Sequence, residues 1–286
     1  MVNKESIAAF IRALFLIAAA IATIIPLVNV AATSFSSSRA IMAGEVFLWP
    51  VDFNLEAYKQ HFKTGLLVNA LKNTVLITVV GTLLQMTVTT LSAYALSKKR
   101  LRGRNVFLML ILFTMLFGGG LIPQFILLKN LHLLNTYWAI WLPGLISVYN
   151  MFVMKSFYEG LPSEIEESGV IDGAGDPTLL LRIVLPLSKP IIAALSLFYA
   201  VGLWNVYSQA LYFITSSDLQ PLMVRLYQMI EVNNLDYMLS NTETKMIQPE
   251  AIKASAIVIS VVPILLVYPF LQKYFVKGVL IGSVKG

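Results

Sequence analysis

Apolar residues in this chain gather into long unbroken runs instead of alternating with polar ones, and six runs lie at about 13–33, 75–96, 106–128, 133–154, 190–215 and 254–271. Each approaches the ~20 residues that cross ~30 Å of hydrocarbon as a helix. Lipid offers backbone N–H and C=O groups no water partner, so such runs are predicted to be helices, and the missing period-two alternation argues against a β-barrel. The expected fold is all-α, a polytopic membrane bundle of about six helices. It forms a single transmembrane domain over 1–286, with a polar segment at about 155–189 between the fourth and fifth runs.

Composition agrees with this and narrows the chemistry. Of 286 residues 57% are hydrophobic and 13% charged, where an average soluble domain carries about 25% charged residues. There is no cysteine, which excludes disulfides, thiolate-bound zinc, iron–sulfur clusters and thiol catalysis. His61 and His132 are the two imidazoles, too few for a histidine-rich metal site. None of the six runs holds Asp, Glu, Lys, Arg or His at its middle, although proton relays and many ion-coupled carriers use such groups. The chain also lacks G-x-x-x-x-G-K-[ST], G-x-S-x-G and H-E-x-x-H, so nucleotide hydrolysis and common hydrolase chemistry are not assigned to it. Any energy input is expected to come from another polypeptide.

Charge sets the expected orientation. Lys98, Lys99, Arg100, Arg102 and Arg104 crowd the link between runs two and three, which by the positive-inside rule faces the cytoplasm. Both termini then fall on that side too, near Lys4 and Arg12 at one end and Lys273, Lys277 and Lys285 at the other. A net charge of +6 fits this topology better than a nucleic-acid surface. The first run exceeds the 7–15 residues of a signal-peptide core and lacks a convincing A-x-A site, so an uncleaved helix is expected.

The segment 155–189 holds six of the 15 acids. Ser163 followed by Glu164, Glu166 and Glu167 resembles a helix start, where a hydroxyl caps free amides and carboxylates meet the positive end of the dipole. Gly173, Ala174 and Gly175 should break that helix, and Asp176-Pro177 should start a second, with the aspartate as cap. A solvated acidic loop accounts for the same residues. So does a docking surface, since Ser168, Gly169, Gly173 and Ala174 allow close approach of a partner.

The run E-S-G-V-I-D-G, Glu167 to Gly173, is followed after nine further residues by I-V-L-P, Ile183 to Pro186. It resembles the EAA loop of ABC importer permeases, E-A-A-x-x-x-G and then I-x-L-P. Pro162, Glu166, Ile171, Asp172 and Ala174 extend the likeness to carbohydrate-uptake permeases of the MalG type. Ser168-Gly169 stands in place of two alanines, which keeps the site small but lowers helix propensity. N-T-V at Asn73, A-Y-A-L-S at Ala93, W-N at Trp204 and Q-K-Y-F-V-K-G from Gln272 to Gly278 carry the resemblance over nearly the whole chain. F-G-G-G-L-I-P from Phe117 and L-L-N-T-Y-W-A-I-W-L-P-G from Leu133 are similar to the LplC/YtcP group of oligosaccharide permeases.

This resemblance implies a type I ABC importer permease fold in a bacterial cytoplasmic membrane. It implies pairing with a homologous second permease, two ATPase subunits that bind ATP and Mg, and an extracellular solute-binding lipoprotein that delivers an oligosaccharide. No cofactor is expected in this chain and no nucleic-acid partner. In that family the EAA loop is the coupling helix, seated in a groove of the ATPase. Glu167 and Gly173 match the motif glutamate and glycine, and Ile183, Leu185 and Pro186 match its end. Glu166, Ser168, Gly169, Asp172 and Ala174 complete the candidate coupling set.

For the sugar path, hydroxyl-matching groups and flat apolar faces are offered by Tyr149, Asn150, Trp204, Asn205, Tyr207 and Gln209, with Gln85, Thr87, Thr89 and Thr90 nearby on run two. Such side chains equally serve to join helices by hydrogen bonds. Trp49, Tyr137 and Trp138 read as interfacial anchors. Gly118-Gly119-Gly120 permits either close helix packing or local unwinding. The stretch 216–253 should face outward, with an amphipathic helix over Leu219 to Ile230 lying on the membrane surface and an Asn/Glu/Thr-rich part meeting the binding protein. The group likeness points to plant cell-wall oligosaccharides, pectic rhamnogalacturonan fragments among them, whereas the absence of a basic residue within the runs argues against a fixed cationic site for an acidic sugar. A membrane scaffold that binds an ATPase without moving solute, and an ion-coupled carrier, are the alternatives.

Overall fold

The computed structural model describes the backbone of residues 4–231 and 247–283, with side chains over 9–230 and 247–267, and no strand occurs among them. Among the described residues three helices are long and apolar enough to cross a membrane: α1 (Lys4–Ser34), α4 (Leu66–Ser97) and α15 (Pro249–Ser283). Between α1 and α4 lie α2 (Ser38–Met42) and α3 (Glu56–Thr64). The runs at 13–33, 75–96 and 254–271 are thus continuous helices, and all three extend beyond the apolar run. Hydropathy sees only the part that matches lipid, whereas backbone hydrogen bonding continues until a cap stops it.

The other three runs are not single helices. Residues 106–128 form α5 (Arg104–Leu116) and α6 (Leu121–Asn130), which meet at 113°. The cause is Gly118-Gly119-Gly120: a Cβ at Gly118 or Gly119 would meet no atom within 4 Å, and Gly120 has φ +80°. The glycines serve unwinding here, not close helix packing. The run 133–154 becomes α7 (Trp138–Trp141), a turn, and α8 (Val148–Glu159). Pro143 cannot donate the next helical hydrogen bond, and the Ser147 hydroxyl restarts the helix by accepting from Asn150 N at 3.4 Å. The run 190–215 holds α12 (Lys189–Trp204) and the short α13 (Ser208–Phe213).

By its contacts the chain divides into two compact units, Met1–Asn69 with Arg225–Ile264, and Ala70–Val224 with Leu265–Gly286. In the first, the most apolar stretch of α1 contains no buried residue, and burial begins only near its end, at Ala32 and Ser34. Phe35 stacks between Phe53 and Tyr58, the Tyr58 and Ser34 hydroxyls are 2.8 Å apart, and the buried His61 Nε2 sits 2.9 Å from Ser255 Oγ and 3.1 Å from Ile252 O. These contacts tie 34–64 to the start of α15.

In the second unit α4 is the organising rod. At Gly81 an added Cβ would come within 2.7 Å of Leu203 Cδ1 and 2.9 Å of Trp141 Cδ1, and the Trp141 indole N–H donates to Ile77 O at 3.1 Å. Near the start of α4, Asn73 Nδ2 donates to Asp218 O at 2.7 Å and Gln220 O at 3.1 Å, while its Oδ1 accepts from the Tyr137 hydroxyl at 2.9 Å. Leu222 N donates to Thr74 Oγ1 at 2.8 Å. The amphipathic stretch expected over Leu219 to Ile230 is α14 (Leu222–Glu231), and its Leu222 and Val224 are fully buried. The Asn/Glu/Thr-rich part expected to meet a binding protein falls largely outside the described residues.

Candidate functional site

Segment 155–189 folds into a chain of short elements: the end of α8, then α9 (Ser163–Ile171), α10 (Asp176–Leu179), a π-helical turn (Leu180–Val184) and α11 (Leu185–Leu187). α9 begins at Ser163 as expected, but Pro162 occupies the cap position and no side chain caps it. Proline brings no side-chain acceptor for the first-turn amides, and the carboxylates of Glu164 and Glu166 are what matches the positive end of this helix. Asp176 is likewise the first residue of α10 instead of its cap, which is Gly175. Between the helices Gly173 takes φ +82°. Its N–H donates to Val170 O at 2.9 Å and that of Ala174 to Gly169 O at 2.9 Å, the arrangement that closes a helix C-terminus through a left-handed glycine.

The candidate coupling residues divide by the side they face. Glu167, Ser168, Asp172 and Gly173 are exposed and Ala174 half-buried. Beside them Val170 is 55% and Ile171 85% exposed. Gly169 points the other way: it is buried, and a Cβ there would come within 2.5 Å of Leu179 Cδ2 and 2.9 Å of Ile183 Cδ1. Its small size therefore serves packing of α9 on α10 and the π-turn. Ile183 and Leu185 are half-buried in that packing and Pro186 is exposed. Glu166 turns toward its own chain and forms an ion pair with Lys98.

Two further ion pairs reach from the basic link: Arg100 to Asp176 and Arg104 to Glu159. Lys155 adds a second cation to Glu159 at 2.8 Å. Burial alone would raise the Glu159 carboxyl, but the hydrogen bond and charge of Lys155, together with Arg104, outweigh it and hold the group below the ordinary carboxylate value. The link was read from sequence as a topology marker only. Its cations and the acids of 155–189 were both visible there, and their opposite charge was the signal that could have paired them.

Where the segment leaves this end, the pair formed by Asp176–Leu187 and α12 bends by 83°. Ser188 lies at the bend, fully buried, its hydroxyl donating to Val184 O at 2.6 Å. α12 then meets α4 and α8 at one hydroxyl: Tyr199 Oη lies 2.6 Å from Thr89 Oγ1 and accepts from Ser147 N at 3.1 Å.

The candidate path residues are dispersed in character. Asn150 is buried and Tyr149 62% exposed, at the start of α8. Trp204 ends α12 with its indole N–H buried and unpaired. Asn205 is exposed and its amide donates to Val201 O of its own helix at 2.8 Å. Tyr207 and Gln209 are half-buried beside it. Of the polar residues on α4, Gln85 donates to Gly144 O at 2.8 Å and Thr89 meets Tyr199, so these two join helices.

Residues 8–281 match the family described as binding-protein-dependent transport system inner membrane component. The chain is 44% identical over 265 residues to Protein LplC of Bacillus subtilis (strain 168), covering 92% of this chain and 90% of that protein. It is 42% identical over 274 residues to the polygalacturonan/rhamnogalacturonan transport system permease protein YtcP of the same organism, covering 95% and 96%. Among solved structures, a bacterial ABC transporter involved in the import of the acidic polysaccharide alginate contains a chain that superposes with TM-score 0.91 at 32% identity, over 96% of this chain and 99% of that one. The long apolar helices, the all-helical fold of the described residues, the EAA-like segment and these likenesses agree, and the chain belongs to the binding-protein-dependent transport system inner membrane components, the membrane-spanning permeases of ABC importers.

Proposed function

We propose that this chain is a non-catalytic permease subunit that moves an oligosaccharide across a bacterial cytoplasmic membrane, driven through the segment 155–189 by a partner ATPase. In this reading a homologous permease completes the passage and two ATPase subunits hold ATP and Mg. A solute-binding lipoprotein delivers the sugar outside, and both termini face the cytoplasm. The observation that carries it is the tip of α9. Val170 and Ile171 stand exposed beside Glu167 and Asp172, on a helix whose opposite face is packed through Gly169 onto its own chain. An apolar pair in a charged rim, on a braced support, is the form of a surface that docks into a groove.

The physics of coupling asks little more of this subunit. Two states of the permease pair need to lie within a few kcal/mol, so that nucleotide-driven closure of the ATPases selects one. A firm segment passes that bias on, and the Ser188 elbow delivers it to α12, where Trp204, Asn205, Tyr207 and Gln209 sit at the far end as candidate path residues with Tyr149 and Asn150 of α8. The name of YtcP, with its polygalacturonan and rhamnogalacturonan, and the alginate import of the structural neighbour favour an acidic oligosaccharide.

The test is uptake in liposomes by the complex assembled with its cognate subunits and binding protein, using oligogalacturonides as probe. Ile171→Asp should leave chain insertion intact, release the ATPase subunits and abolish uptake. Retained ATPase and wild-type uptake would remove α9 from the docking surface. Asn205→Leu should slow uptake with the ATPase still bound, and unchanged uptake would leave Asn205 with the packing role its bond to Val201 already gives it. A chain that transports sugar alone, or that binds ATPase and moves none of a broad panel of oligosaccharides, would favour the carrier or scaffold reading.

A further inference from the structure

The basic link between α4 and α5 does more than its charge count suggests, for three of its five cations reach acids on three successive elements of the opposite segment. Lys98 pairs with Glu166 of α9, Arg100 with Asp176 of α10, and Arg104 with Glu159 at the end of α8. Two of these cations are themselves seated on the last turns of α4. The Lys98 ammonium stands over the Tyr94 ring, 4.2 Å from its centroid, and Arg104 Nε donates to Leu96 O at 2.8 Å.

These pairs are not of equal weight. Side chains of Arg100 and Asp176 are 64% and 55% exposed, where screening and side-chain entropy leave an ion pair little net value. Lys98 and Glu166 are 15% and 27% exposed, and Arg104 and Glu159 21% and 32%. At Lys98–Glu166 loss of one partner strands a partly desolvated charge, which costs more than the pair itself was worth, whereas Glu159 keeps Lys155 at 2.8 Å if Arg104 is lost.

We propose that the link 98–104 is a brace for the coupling segment, with Lys98 as the positioning residue that makes α9 move with the end of α4. The inference rests on the coupling role proposed above and adds to it a second load path. Without the brace α9 reaches α4 only through its neighbours, since Tyr158, Leu180 and Val184 share a core with Tyr94 and Leu96 of α4. With it, a push on Ile171 is delivered from α9 to the end of α4 directly. It also gives Glu166 an internal task, holding Lys98, in place of contact with the ATPase. The exposed Glu167 and Asp172 remain to face the partner.

The brace is tested on the assembled importer in liposomes with its cognate ATPase and binding protein, with oligogalacturonides as probe, by the amount of sugar imported per ATP hydrolysed. Lys98→Glu and Glu166→Lys should each keep the yield of complex and the co-purified ATPase, and lower that ratio about fivefold or more, the factor that follows from losing ~1 kcal/mol of coupling. The double exchange K98E/E166K should restore most of it, and Lys98→Arg should behave as wild type. A Lys98→Glu complex with an unchanged ratio would overturn the brace. So would a double exchange no better than Glu166→Lys alone, which would assign Glu166 to the ATPase. A wild-type chain that retains no ATPase would instead defeat the coupling reading beneath it, an outcome distinct from either of these.

Discussion

Two glycines of the EAA-like segment are required for unlike reasons, and their substitutions separate the reasons. At Gly169 the constraint is space: a Cβ would meet the ends of the Leu179 and Ile183 side chains at 2.5 and 2.9 Å. Those ends can rotate away from a methyl group, and alanine restores about 1 kcal/mol of helix propensity, so Gly169→Ala should be close to neutral. Gly169→Leu overfills the same contact and should cost about 1–3 kcal/mol, seen as a lower melting temperature of the detergent-purified complex. At Gly173 space is free, but φ is +82°. Gly173→Ala should therefore cost about 1–2 kcal/mol through the backbone alone. The Asn mutant should recover part of this, because asparagine visits the left-handed region more readily. Equal melting temperatures for wild type, Ala and Asn variants would show that the turn does not hold its left-handed form in the assembled protein.

At the scale of elements, one hydroxyl does the work of a three-way joint. Tyr199 is buried on α12, and its Oη serves Thr89 of α4 and the Ser147 N–H that precedes α8. Tyr199→Phe keeps the ring and removes the oxygen, leaving a buried hydroxyl and an amide short of a partner, at a cost of about 1–3 kcal/mol. The fall in thermal stability should be cut when Thr89→Val is combined with it, since that change removes one of the two orphaned groups. Additive losses in the double variant would mean that the two oxygens do not share a bond. The elements around this joint were only partly legible beforehand. The acidic helices of 155–189 and the turn at Gly173 follow from local cues, namely the glycines and a proline, although the side-chain caps expected at Ser163 and Asp176 do not form. Breakage of the runs at 106–128 and 133–154 was less visible, because hydropathy reports which solvent a residue prefers and is silent on whether the backbone continues straight.

At the scale of the whole molecule, α4 is a long helix with contacts at both ends. From Asn73, which gathers the carbonyls of Asp218 and Gln220, to Lys98, which holds Glu166, it rises about 37 Å at 1.5 Å per residue, more than a bilayer's hydrocarbon thickness. It therefore connects the segment before α14 with the coupling segment by a single rigid helix. At α3, His61 supplies a pH response. Burial drives its imidazole below the ordinary value of 6.5, against the opposing pull of the Ile252 carbonyl. The unfolded chain then binds the proton more readily than the folded one just below pH 6.5. The stabilising neutral state is complete above that value and is lost as pH falls toward the folded one. Melting temperature should decline from about pH 7.5 to about pH 5.5, and His61→Gln, which can still donate to Ser255 or Ile252, should flatten the decline. An equal slope in both would remove His61 as its source.

Read alone, the amino-acid order determined the solvent, the helical class, and the family likeness carried by Glu167 to Gly173 and Ile183 to Pro186. The reason is physical: transfer to lipid and the obligation to pair every backbone group there act on contiguous residues, so their consequences are written locally. Tertiary structure decided what faces what. Gly169 looks inward and Ile171 outward although they are two positions apart, Glu166 finds Lys98 across 68 residues, and Tyr199 joins three elements that no sequence interval connects. Ion pairs, buried hydroxyls and close approaches depend on which surfaces the folded chain brings together, and that adjacency exists only once the helices have packed.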